Sequence, residues 1–83
     1  MTTYSFEVLI PEGLHARPCA KIVETLKGFE PVHITCKEVT IKVLSILELL
    51  LQKISYGSAI TICTSSPLPD SVLKQLKNIF ANQ

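Results

Sequence analysis

The chain has 83 residues, of which 47% are hydrophobic and 18% charged, with a formal charge of +1. That is one small domain over residues 1–83, able to bury roughly 60% of its unfolded surface. The near-neutral balance leaves too little basic excess to grip a phosphate backbone without sequence contacts, so no nucleic-acid partner is expected.

Residues 1–20 contain no basic start leading into a long apolar run, and the most apolar stretch elsewhere, ILELLL, is far below the roughly 20 residues of a membrane span. A soluble, cytoplasmic protein without membrane insertion is the expectation.

Tyr4, Phe6, Val8 and Ile10 alternate with Ser5 and Glu7, the period of a strand with one buried face. PEG punctuates at residues 11–13. From Ala16 to Lys27 the period changes, with Cys19, Ile22, Val23 and Leu26 on one helical face and Lys21 and Glu24 off it. Gly28 is a fitting stop. Val32, Ile34 and Cys36 alternate again, as do Val39 and Ile41, and Lys37–Glu38 between them predict a tight hairpin. A second helix is predicted from about Val43 to Ile54, closed by YGS. AITICT makes the last strand before Pro67 and Pro69. The last helix places Val72, Leu73, Leu76, Ile79 and Phe80 at helical spacing, with Pro69 acceptable in its first turn. Strand, helix, two strands, helix, strand, helix, without internal repeats, predicts an α+β two-layer sandwich: one largely antiparallel sheet with helices on a single face.

The three cysteines, at 19, 36 and 63, lack the spacing of a zinc or redox site and read as buried free thiols. Cys36 and Cys63 both fall in strand-like runs and could be neighbours. His33 lies on the polar side of its strand and reads as a surface residue.

His15 stands at the cap of the first helix, where the leading N–H groups lack intrahelical partners and the dipole is positive. Such a place welcomes an anion. Arg17, in the first turn, adds a planar donor fork suited to phosphate oxygens, and Pro18 stiffens the backbone where a missing N–H costs little. An imidazole with an ordinary pKa near 6.5 is substantially neutral at pH 7 and nucleophilic. The group reads as a nucleophile inside an anion site, against the plainer reading of a helix cap beside a solvated arginine. Lys21 could add positive potential. Glu12 would repel an anion if it turned inward and is expected to point away.

GLHARP at residues 13–18, followed by an apolar helix and then by KEVTIK and GSAITI, resembles the HPr family, the histidine-containing phosphocarriers of the bacterial phosphotransferase system. The resemblance spans nearly the whole chain and is only pattern-level in the last helix. It implies an open-faced β-sandwich of four antiparallel strands and three helices. It implies that His15 takes a phosphoryl group on Nδ1 from phosphorylated enzyme I and passes it to enzyme II A-type components or a regulatory acceptor. It also implies that Arg17 and the helix-start amides, beginning at Ala16, steady the phosphate. No metal or organic cofactor is called for.

Six of the eight residues from Leu44 to Leu51 are apolar, more than one buried stripe can hide. Leu44, Leu47, Leu51 and Ile54 fit one inner face, leaving Ile46, Leu49 and Leu50 for exposure. Ile46, Leu47, Leu49 and Leu50 are the candidate partner-docking residues, on a helix that in HPr relatives supplies apolar contacts to partner enzymes. Against the family pattern, Val43 stands where many relatives of Gram-positive type carry a regulatory serine, so that control is excluded and Ser45 is the weak substitute. The stretch from Lys42 to Gly57 is slightly long and lacks the usual glycines, which predicts a remodelled second helix or exit. Cys19 replaces an alanine and reads as packing rather than as a reactive thiol.

Two other functions compete with the carrier. One is a non-catalytic regulatory module acting through the apolar second helix, and the other a small-molecule-binding domain, for which neither a Gly-rich loop nor a carboxylate pair speaks.

Overall fold

The alternation at the start of the chain becomes β1 (Thr2–Glu7), with Tyr4 and Phe6 half-buried toward the helices and Thr3, Ser5 and Glu7 turned outward. The computed structural model describes residues 1–42 and 45–82. The expectations placed on Val43 and Leu44 fall outside the described residues. After β1 come α1 (Ala16–Leu26), β2 (Val32–Cys36), β3 (Val39–Ile41), α2 (Ile46–Leu51), β4 (Ala59–Thr64) and α3 (Asp70–Asn82).

The four strands form one antiparallel sheet in the order β1-β4-β2-β3. Cys36 faces Val39 across a two-residue loop. Lys37 in that loop has φ +59, the left-handed backbone a primed hairpin turn requires of its first loop residue. The expected tight turn is present without Gly or Asn, and its cost falls on a lysine.

Alternate residues of the strands, Val32, Ile34, Cys36, Ile60 and Ile62, turn one face of the sheet to the core, where they meet Cys19, Ile22 and Leu26 of α1 and Val72, Leu76, Ile79 and Phe80 of α3. Val8 and Ile10 carry the inward pattern past the end of β1 and are also buried. The Phe6 and Phe80 rings stack with centroids 5.0 Å apart, and the Leu68 amide donates to the Tyr4 hydroxyl over 2.8 Å. These contacts pin α3 and its lead-in to the edge strand. Three helices on one face of an open sheet is the predicted α+β two-layer sandwich.

The strand pattern leaves open whether Cys36 and Cys63 are neighbours, and the register separates them. Cys36 pairs with Ile60 and faces the core, whereas Cys63 pairs with His33 on the other face. An odd offset along a strand reverses the side-chain direction. All three thiols are free.

The second helix is also shorter than predicted. Ser45 caps it, its Oγ accepting the Glu48 N–H over 3.4 Å. Lys53, with φ +50, bends the chain away two residues past Leu51. Ile54 is buried but belongs to the connection rather than to α2.

Candidate functional site

The site begins at a turn that only glycine can make. Gly13 has φ +77, and a Cβ placed there would lie 2.6 Å from the Ile54 carbonyl oxygen. The Gly13 amide donates to Ile10 over 2.8 Å and the Leu14 amide to Ile54 over 2.9 Å, while Leu14 itself is buried. The turn is therefore fastened to the exit of α2 before α1 starts.

His15 is the N-cap of α1, in extended backbone with φ −106 and ψ −167. Its carbonyl accepts the Cys19 amide over 3.1 Å, the first closed turn of the helix. Pro18, buried, has no N–H to offer. The amides of Ala16 and Arg17 consequently have no acceptor among the described residues, and both residues are exposed. The imidazole makes no cap bond to them. The His15 side chain is 43% exposed and leaves those donors without a side-chain cap. Arg17 has no hydrogen-bond or ion-pair partner among the described residues. Two open amides, with the permanently charged and exposed Arg17 only two residues from an accessible imidazole, supply the donors that a tetrahedral oxyanion calls for.

Glu12 departs from expectation. Its Oε1 lies 3.4 Å from His15 Nε2, so the carboxylate turns to the ring instead of away from it. It remains 81% exposed, and that hydration removes most of the repulsion that argued against such a placement.

Lys21 lines a hollow between α1 and α3 with Gln75 and Asn78. Cys19, wholly buried on the inner side of α1, has its thiol pushed up to about 11 by burial, as a packing residue should. His33 is half-buried on the outer face of the sheet. Among the described residues no group of three or more His, Cys, Asp or Glu could hold a metal ion, and no helix is long and apolar enough to cross a membrane.

On α2 the candidate docking residues divide. Ile46 and Leu47 are exposed, Leu47 at 63%, and Leu51 joins them at 61%. Leu49 is buried at 1% exposure, and Leu50 packs half-buried against the core. Leu47 and Leu51 do share a face, but it is the outer one. In so apolar a helix the inward side is chosen by how Ser45 and Ile54 anchor its ends, which periodicity does not reveal. Leu49 is therefore closed to a partner, contrary to expectation, whereas Leu51 is open to solvent.

Fold and site together define a class: a small open-faced sandwich that presents a histidine at the start of its first helix. A family model described as "PTS HPr component phosphorylation site" matches residues 2–82, and the chain belongs to that family of phosphotransferase-system phosphocarriers. Solved structures agree. The HPr of Bacillus anthracis is similar at 28% identity and TM-score 0.75, over 95% of each chain. A histidine-containing phosphocarrier protein of Mycoplasma superposes at TM-score 0.77 with 24% identity, over 94% of this chain and 90% of that one. HPr-C-His of Thermoanaerobacter tengcongensis also superposes at 0.77, with 22% identity over 96% and 91%. No curated protein matches the sequence.

Proposed function

We propose that this chain works as one HPr-like domain over residues 1–83 that accepts a phosphoryl group on Nδ1 of His15 from phosphorylated enzyme I. It then hands the group to an enzyme II A-type component or a regulatory acceptor. The observation that carries the reading is the half-exposed imidazole beside the unpartnered Ala16 and Arg17 amides, with the Arg17 side chain open to solvent.

The Nδ1 lone pair attacks phosphorus in line, forming an N–P bond while the donor's P–N bond breaks and its electron pair returns to the donor ring. Charge on the three phosphoryl oxygens is met by the Ala16 and Arg17 amides and by the guanidinium. A carrier must also let go. One arginine and a helix start hold the group less tightly than a cage of cations, which suits onward transfer. Exposed Ile46, Leu47 and Leu51, with half-buried Leu50, offer partner enzymes an apolar face on the helix whose exit is fastened to the histidine turn.

Incubation with phosphoenolpyruvate and enzyme I tests the reading. An acid-labile, base-stable phosphate that disappears in His15→Ala supports it. A label that persists in that variant moves the site elsewhere, and an unlabelled parent protein favours the regulatory module.

A further inference from the structure

We propose that Glu12 is a positioning residue for this transfer: its carboxylate keeps a proton on Nε2 of His15, presenting the Nδ1 lone pair beforehand and countering the ring's positive charge afterwards. The inference deepens the phosphocarrier reading and rests on it. Glu12 Oε1 lies 3.4 Å from Nε2, while Nδ1 has no partner among the described residues. The two residues flank the Gly13 turn, which the bonds to Ile10 and Ile54 hold in place. Carboxylate and ring thus belong to one constrained loop.

A neutral imidazole has one N–H and one lone pair, and a carboxylate can only accept. Beside Nε2 it favours the tautomer protonated there, which leaves the lone pair on Nδ1. When that pair becomes the N–P bond, Nε2 keeps its proton and the His15 ring becomes a cation. Glu12 offsets this charge at the edge of the ring away from the phosphate. On release the bonding pair returns to Nδ1, the ring is neutral again, and the proton has stayed on Nε2 throughout. The aspartate of a serine-protease triad treats its histidine in the same way, orienting and stabilising the imidazolium without taking its proton. Because Glu12 is exposed, the effect is that of a solvated charge pair, about two- to fivefold in rate.

The test uses potassium phosphoramidate as phosphoryl donor, so no partner enzyme is involved, and ¹⁵N-histidine spectra identify the ring that carries the phosphate. Loss of phosphate from His15 is followed at pH 9 and low salt, where an ordinary imidazolium is mostly deprotonated. Glu12→Gln and Glu12→Ala should release phosphate about two- to fivefold more slowly than the parent, Glu12→Asp should recover most of the rate, and 1 M KCl should erase the differences. The unphosphorylated Glu12→Ala protein should also show a smaller share of the Nε2–H tautomer. Equal rates in the parent and all three variants, or faster loss in Glu12→Gln, overturn the role of Glu12 and leave the carrier reading standing. Phosphate found on His33 with none on His15 overturns the carrier reading itself, and the role of Glu12 with it.

Discussion

The Leu14 amide donates to the Ile54 carbonyl across 2.9 Å, so the turn that presents His15 and the exit of α2 form one structural unit. Gly13 makes the approach possible. In Gly13→Ala the new Cβ would meet the Ile54 oxygen at 2.6 Å in left-handed backbone, whereas at Gly28, with φ +97, it would meet nothing within 4 Å. Gly13→Ala should cost about 2–4 kcal/mol and Gly28→Ala about 1 kcal/mol in urea unfolding. Equal losses would mean that the close approach contributes nothing beyond the dihedral angle.

The two leucines of α2 that differ most in exposure should separate stability from docking. Leu49→Ala removes a side chain that is 1% exposed and should cost about 2–4 kcal/mol, while Leu47→Ala should stay within about 0.5 kcal/mol. On the proposed function, Leu47→Ala and Leu51→Ala should instead weaken binding of enzyme I, measured by titration calorimetry. A Leu47→Ala protein that binds like the parent would remove α2 from the docking surface.

Arg17 is exposed and without a protein partner among the described residues, so its removal should leave the unfolding midpoint unchanged. Phosphoryl transfer measured with enzyme I should nevertheless fall by about 10- to 100-fold in Arg17→Ala, with only partial recovery in Arg17→Lys, which keeps the charge and loses the fork. Full activity of Arg17→Ala would leave the backbone amides as the whole of the phosphate site.

Cys19 gives the fold an alkaline limit. Burial raises its thiol from 9.0 to about 11, so the unfolded chain gives up this proton at lower pH than the folded one. The contribution is fully present below pH 9 and is lost as pH climbs to about 11, on the order of 2 kcal/mol in all. Denaturant titrations across this window should show a steeper loss of stability in the parent than in Cys19→Ala. At pH 8 a thiol reagent should reach half-exposed Cys63 well before Cys19.

Much of this architecture is legible in the order of residues, and the gaps have identifiable physical causes. The period of two in Tyr4, Phe6 and Val8 and the stripe of Cys19, Ile22 and Leu26 survive folding because each has a single hydrophobic side to bury. The apolar α2 has no such contrast, and its orientation comes from its anchors. One anchor is nevertheless written in the sequence: Ser45 and Glu48 have the spacing of a capping box, and the Ser45 cap marks the true start of the helix. The contact of Glu12 with His15 had no comparable signal, since it depends on how a glycine turn folds two nearby side chains toward each other.

The strand order has a consequence for how the chain comes together. β4 supplies the hydrogen bonds of both β1 and β2, yet among the strands it is the last to leave the ribosome. Of the three pairings among the described strands, only β2–β3 can form without β4, and β1 has no other strand partner in this sheet. The pairing of the aromatic first strand, from Thr2 with Thr64 to Glu7 with Ala59, is thus distant in the sequence, the kind of contact that slows folding.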